Sequence, residues 1–582
     1  MPFSRRVLGG KAQHNLAQIV KSGYIPGSMR SITKRRSTVG KRSFLFLPQI
    51  WLQRAGIFGL LTVLFAASYT QSPLYTSNQN QYFLHGLAQA GRGFLHEDWL
   101  ANTLDPTPVF SVLVAMTARY LIWDGFFYIW YALLMGIYLF SLAGIVSLYF
   151  DVRSSRARWW SFLSALILAH SAGLRYLLSQ ASNYELTYLL EDGLADQRLL
   201  GPVFQPSVFG VLLVLSIYLF LRKKPYLAAL TAALAAIFHP TYLLGAAALT
   251  GAYILITIFL NKTGDGSNQT RPDPAASSNL SQAAGVGLIA LLAVLPILAY
   301  VYTAFAATPP ATSAQARHIL VNVRIPHHAL ASWWFDYGAV IKIGIVLAAL
   351  WMVRRTRLLV LLGVPSLIAT VLTLTQVALA SDGLALLFPW RISTFLVPIS
   401  TAVLLGALIS WSFTRFPSLE GSYRRLVLAG CLTVLMLTVT SGALRFFLDL
   451  QRKANQPEAS LLAYVAQNHR AGETYLTPVK MQDFRLATGS PAYIDFKSIP
   501  YQDEQVLEWH RRVQQADQFY KDGDCTLLEI IEEEGVTHVV WEAAGTTLSC
   551  PQLRETYRDQ NYLLFEVNNR ANSAGEIQIP EF

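Results

Sequence analysis

Apolar and polar positions along this chain alternate on the scale of a lipid bilayer. Apolar runs near the roughly 20 residues that cross a hydrocarbon core recur at about 49–70, 126–150, 160–178, 208–221, 226–238, 242–260, 284–306, 337–353, 358–380, 388–413 and 426–447. The pattern predicts an α-helical polytopic membrane protein with about 11 transmembrane helices. Between the first two runs, residues 71–125 form a long loop with two helix-like stretches. One is 81–91, with Phe83, Leu84, Leu87 and Ala88 on one face, and the other is 108–122. The first is amphipathic enough to lie in the membrane interface. Residues 261–281, rich in Gly, Ser, Asn and Pro, read as a flexible linker. From 450 onward the period shortens. Strand-like runs at 474–476, 492–494, 537–541 and 562–567 alternate with helical patterns at 458–468, 503–520 and 526–534, which predicts a small C-terminal α/β domain.

Charge orients these elements. The chain has 582 residues, is 53% hydrophobic and 14% charged, and carries a net charge of +11. That excess is not a nucleic-acid footprint, because the basic residues sit in the first 54 positions and in short loops between apolar runs, which is the positive-inside pattern. Arg153, Arg156 and Arg158, then Arg222, Lys223 and Lys224, then Arg354, Arg355 and Arg357, then Arg415, Arg424 and Arg425 all fall on the cytoplasmic side of one consistent topology. This topology decides the long apolar stretch 107–150, placing 108–122 at the outer surface and letting 126–150 cross inward. The expected organisation is a basic, disordered cytoplasmic arm over 1–48, a transmembrane domain over 49–449 and an extracytoplasmic α/β domain over 450–582. The arm begins too far from its apolar run to be a signal peptide, and its basic residues suit anionic lipid. This makes a multi-pass plasma-membrane protein with its N-terminus inside. Three Cys are present, and Cys525 and Cys550 in the outer domain can pair as a disulfide or remain two buried thiols.

Candidate chemistry lies on the outer side. No Asp or Glu precedes Glu97, so the pair Glu97–Asp98 arrives just after the first crossing. Such carboxylates can accept a proton from an acceptor hydroxyl or hold a divalent cation, or they can simply cap the turn that follows. Further along come Asp105, Glu185, Glu191, Asp192, Asp196 and Arg198, then Arg317, His318, Arg324, His327, His328 and Asp336, then Asp382 and Arg391. Acid is concentrated in the earlier loops and base in the later ones, where Arg and His can neutralise a phosphate leaving group. His239–Pro240 interrupts an apolar run, a pattern that lines cavities and also occurs as a packed histidine. Arg391 in Phe388–Pro389–Trp390–Arg391 is either an interfacial anchor or a phosphate contact. His327 and His328, being adjacent, do not share a helix face, and no spacing supports zinc. No phosphate-binding loop, dinucleotide fingerprint or nucleophile elbow is present in a suitable context.

The order of these parts resembles the GT-C superfamily of membrane glycosyltransferases: a basic start, one span, a long outer loop with two juxtamembrane helices around an acidic pair, further spans and an outer α/β domain. The acidic-pair motif of that family falls on Glu97 and Asp98. The segments NQNQYFLHGLA, DWLANTLDPTPVFS, FHPTYLL, FPWRIS and FRLATGSPAYIDFKSIPY resemble, more narrowly, an uncharacterised family of bacterial multi-pass proteins. The resemblance implies a polyprenyl-phosphate-linked sugar as donor and inverting transfer to an acceptor at the outer membrane face. On that reading Asp98 is the general base, Glu97 positions the acceptor or a cation, and Arg198, Arg324, His239 and Arg391 bind substrate. The chain lacks the WWDYG-type signature of oligosaccharyltransferases in its C-terminal domain; Ser332–Gly338 approximates it only in letters and lies between spans. Two other classes fit the same sequence: a transporter or flippase for a lipid-linked or polar solute, and a non-catalytic scaffold of the same fold.

Overall fold

The computed structural model describes residues 46–121, 123–260, 274–305, 308–544 and 548–568. The basic arm expected over 1–48 lies outside the described residues, except where helix Phe46–Tyr69 begins. The chain divides into two units, Met1–Ala55 and Gly56–Phe582, and apart from the start of its first long helix everything that follows lies in the second.

Among the described residues, seven helices are long and apolar enough to cross a membrane: Leu52–Tyr69, Phe126–Val146, Pro240–Leu260, Ser278–Ala304, Arg357–Leu379, Asp382–Arg415 and Arg424–Ala454. An eighth results if Arg156–Ala169 and Ala172–Ala181, bent by 53°, count as one span. The bend has a local cause: Ser171 is extended, and its hydroxyl accepts the Leu174 N–H, starting a new helix there. This is fewer than the eleven spans expected. The other three apolar runs form helices of 10–17 residues, Pro206–Leu221, Pro225–Phe238 and Tyr337–Met352. Letters alone do not show their shortness, which in two of them follows from a proline that starts the helix, Pro206 and Pro225. Helix Pro225–Phe238 is bracketed by Pro225 at its first position and Pro240 just past its end. The expected linker is likewise shorter, since a helix already runs from Pro274 to Ala304.

The first loop is packed rather than interfacial. The expected helix over 81–91 breaks at Phe83 into Gln79–Tyr82 and Leu84–Gln89. Phe83, Leu84 and Leu87 are fully buried, and the Phe83 ring lies 4.8 Å from Phe127 and 5.9 Å from Phe110. Gly86 permits the contact with helix Pro108–Tyr120, because a Cβ there would come within 2.6 Å of the Ser111 carbonyl oxygen.

The C-terminal region holds a four-stranded sheet of β1 (Tyr475–Leu476), β2 (His538–Glu542), β3 (Leu553–Arg558) and β4 (Tyr562–Val567), in the order β1-β2-β4-β3. The β1/β2 pair is parallel and the other two are antiparallel. The run 492–494, expected as a strand, makes only an isolated bridge from Ala492 to Tyr475. Strand β3 was not expected: its sequence LRETYR is a polar edge with no apolar alternation to betray it. Helix Asp503–Asp522 shows why this region folds. Gln502 caps its start, Gly523 ends it with φ 64°, and Val506, Trp509, Val513, Ala516 and Phe519 recur at helical spacing as its buried face. Helix Pro310–His318 packs on it, and Ala316, Ile319 and Leu320 join the same core. The sulfurs of Cys525 and Cys550 are bonded to each other.

Candidate functional site

The acidic pair splits in two directions. After the short turn Leu95–Glu97 the backbone extends at Asp98, which sends that side chain inward, where it is fully buried. Its Oδ1 accepts the N–H groups of Leu100 at 2.9 Å and Ala101 at 3.2 Å. Its Oδ2 accepts Arg485 Nε at 2.6 Å and the Ala492 N–H at 2.9 Å. Arg485 also pairs with Asp495 and donates to the Ala492 carbonyl oxygen at 2.7 Å. Both oxygens of Asp98 are therefore engaged, leaving no lone pair suited to a substrate proton. The expected general-base role is not supported by this geometry, and neither is the expected pocket with Arg198, Arg324 or Arg391 facing Asp98. Its cation is Arg485. Glu97 points elsewhere and accepts the Gly472 N–H at 2.8 Å. Among the described residues no three His, Cys, Asp or Glu side chains converge to hold a metal ion, so Glu97 and Asp98 lack the further protein ligands a cation site would draw on. Phe94 N–H donates to the Gly489 carbonyl oxygen at 2.8 Å, and a Cβ on Gly93 would stand 2.4 Å from that oxygen. Together these contacts stitch the first loop to the C-terminal region.

A second cluster surrounds Glu191 and Asp192, both buried. Glu191 pairs with Arg175 at 3.1 Å, and Asp192 with Lys342 at 2.5 Å and Arg198 at 3.5 Å. Arg198 also stacks 3.7 Å over the Tyr188 ring. Its charge is thus spent on carboxylates, and it is separate from Asp98. Burial outweighs the nearby cations at Glu191 and pushes its carboxyl up to about 7, and its Oε2 has no partner. The cations Arg175 and Lys342 sit inside apolar helices and were not expected.

The third cluster collects cations that, among the described residues, have no carboxylate at ion-pairing distance. His239 is extended between helix Pro225–Phe238 and Pro240, since a residue before proline is driven out of the helical region. Its Nε2 lies 3.0 Å from Arg391 Nη1. Arginine only donates, so Nε2 accepts and the proton resides on Nδ1, which is buried and unpartnered. Arg391 follows Phe388, a non-glycine residue at φ 47°, a strained conformation of the sort that clusters at functional sites. Its guanidinium faces Tyr242 at 5.5 Å and Phe388 at 5.7 Å, and its Nε is unpartnered. Beside it runs a narrow apolar groove lined by Tyr242, Leu244, Phe388, Ile392 and Phe395.

Arg324 ends the wide turn Ile319–Arg324, donates to the Lys497 carbonyl oxygen and has an unpartnered Nε. Burial pulls its ionisation down, and burial followed by Arg324 lowers Lys497 to about 8. The charges of Arg324 and Arg391 both act on the Tyr501 hydroxyl. His328 donates from Nδ1 to the Ala195 carbonyl oxygen at 2.7 Å, and burial and His327 push it down to about 3, so it adds no charge near neutrality. Among the described residues none of Arg324, Arg391 and Lys497 has a carboxylate at ion-pairing distance. The structure thus joins Arg391 to His239 and lets Arg324 and Arg391 act on one hydroxyl, that of Tyr501, while Glu97, Asp98 and Arg198 bond to Gly472, Arg485 and Asp192. Sequence reasoning missed Lys497, Arg485 and Tyr501, which lie in a polar stretch where charged letters are commonplace.

Residues 456–516, which include Arg485 and Lys497, match a family described only as a domain of unknown function (DUF6798). No curated protein matches the chain. Solved structures similar to it include the following two. ArnT from Cupriavidus metallidurans, bound to undecaprenyl phosphate, is 14% identical at TM-score 0.45, over 88% of this chain and 98% of its own. The oligosaccharyltransferase AglB from Archaeoglobus fulgidus, in complex with an inhibitory peptide and a dolichol-phosphate, is 11% identical at TM-score 0.44, over 85% and 70%.

Proposed function

We propose that this chain transfers a glycosyl group from a polyprenyl-phosphate-linked sugar to an acceptor at the outer membrane face. The observation that carries the reading is the set Arg324, Arg391 and Lys497, each partly buried with no carboxylate at ion-pairing distance among the described residues, with Arg391 on the wall of a narrow apolar groove. Burying cations without partners is costly, and a bound phosphate supplies the missing charge through charge-assisted hydrogen bonds. Arg391, oriented by neutral His239, holds the phosphate and stabilises it as it leaves.

Asp98 positions rather than reacts, since it fixes the loop that carries Tyr82, whose ring lies 6.0 Å from that of His239. Glu191, with a free oxygen and a carboxyl near neutrality, is the better candidate to accept the proton of the acceptor hydroxyl. The reading goes with the eleven-crossing topology, in which three shorter helices complete the bundle and the N-terminus is cytoplasmic. It goes also with a division into the arm 1–48, the membrane domain 49–449 and the outer domain 450–582.

The test is reconstitution of the purified chain with polyprenyl-phosphate sugars. Donor consumption that Arg391→Ala lowers by about 10²-fold or more, in line with loss of one preorganised donor group, supports the reading. Movement of solute without glycosyl transfer overturns it in favour of a transporter.

A further inference from the structure

We infer that the donor is linked through a diphosphate rather than a single phosphate, an inference that rests on the glycosyl-transfer reading above. Arg391 stands at the apolar groove with His239 and Tyr242 around it. Arg324 and Lys497 form a second cationic position, joined by the hydrogen bond from Arg324 to the Lys497 carbonyl oxygen. Tyr501 feels the charges of both Arg324 and Arg391, so the two positions act on one hydroxyl.

The anionic groups nearby are already engaged. Asp495 pairs with Arg485, as does Asp98, so the triad brings one negative charge beside Lys497. Asp196, which faces His327 and His328, lies 3.6 Å from Arg198. Three cations against the triad's single residual charge leave an excess of two positive charges. A phosphodiester carries one negative charge at neutral pH, whereas the diester of a diphosphate carries two. A single phosphate on Arg391 would leave Arg324 and Lys497 half-buried and uncompensated, each Arg with an unpartnered Nε.

The proton and electron accounting of the transfer is that of any glycosyl diphosphate. The acceptor hydroxyl oxygen bonds to the anomeric carbon, the carbon–oxygen bond to the outer phosphate breaks with its electron pair on that phosphate, and the hydroxyl proton goes to the base. The leaving diphosphate stays on Arg324 and Lys497, whose charges grow more valuable as it gains its extra negative charge.

The experiment is binding of two sugar-free probes, a polyprenyl monophosphate and a polyprenyl diphosphate of one chain length, to the full chain in lipid nanodiscs. The diphosphate is expected to bind roughly tenfold tighter or more, the size of one added charge-assisted hydrogen bond. Lys497→Ala and Arg324→Ala should narrow that gap, and Arg391→Ala should weaken both lipids alike. The wild-type comparison decides by itself, whatever the variants' stability. Equal affinities, or a preference for the monophosphate, overturn the inference and leave the donor reading intact. Failure of both lipids to bind overturns the donor reading and the inference with it.

Discussion

At the scale of single residues, the site is governed by charges that burial makes expensive. Lys497 is the most testable, because burial and Arg324 bring it from the ordinary 10.5 to about 8. It is protonated at neutral pH and loses its charge as pH rises through 8, so affinity for a lipid phosphate should fall between neutral pH and pH 9. Lys497→Arg should stay flat over that window, since arginine does not titrate there; a wild-type affinity that does not change would remove Lys497 from the site. Glu191 gives a second pH window. Its carboxyl rises from 4.5 unfolded to about 7 folded, so its stabilising contribution is present below 4.5 and is lost as pH rises through 7. Thermal unfolding should show that decline, and Glu191→Gln, which keeps this position neutral at every pH, should flatten the slope. The sequence exposed Arg391, His239 and Arg324 because a charge or a proline beside an apolar run stands out. It could not expose Arg485, which meets Asp98 across 387 residues of chain.

At the scale of elements, the first loop and the C-terminal region behave as one packed piece. The Asp98–Arg485–Asp495 triad is their centre. Gln81 and Ile499 add a reciprocal pair, with the Gln81 amide donating to the Ile499 carbonyl oxygen at 2.9 Å and accepting its N–H at 2.6 Å. Asp98→Asn keeps an acceptor for Leu100 and Ala101 but removes the charge that Arg485 needs, and breaking a buried pair typically costs about 3–5 kcal/mol. The expected outcome is a clear drop in melting temperature together with weaker donor binding, because the loop carries Tyr82 and the triad shapes 495–501. Removing both charges in Asp98→Asn with Arg485→Met should cost less than the sum of the single changes. Strict additivity would show that the triad does not join the two regions. The helices of the C-terminal region were legible from their spacing: 458–468, 503–520 and 526–534 correspond to Ala459–Asn468, Asp503–Asp522 and Cys525–Glu533. The helix over 81–91 was misread because its apolar face looks the same whether it meets lipid or Phe110 and Phe127. Only the close approach at Gly86 tells these apart, and that depends on a partner helix the local pattern does not contain.

At the scale of the whole molecule, the remaining question is which side of the membrane each loop occupies. Length separates seven or eight long helices from three short ones, and the apolar pattern could not, since it counts letters and not where proline ends a helix. Charge argues across that gap. Arg153, Arg222, Arg354 and Arg424 all end or begin apolar helices, and the positive-inside rule puts them together only if the short helices cross as well. If Pro206–Leu221 and Pro225–Phe238 both turn back without crossing, the later loops keep their sides; if only one crosses, every later loop inverts. The decisive measurement is labelling of single cysteines by a membrane-impermeant thiol reagent in intact cells, in a Cys431→Ser background. Cys525 and Cys550 are bonded to each other and so leave no free thiol. Cysteines at Glu97, Asp196 and Lys480 should label from outside, and those at Arg153 and Arg355 only after permeabilisation. Labelling at position 355 from outside would invert the latter half of the chain, put Arg324 and Arg391 on the cytoplasmic side of the membrane, and end the case for a donor site shared with the C-terminal region at the outer face.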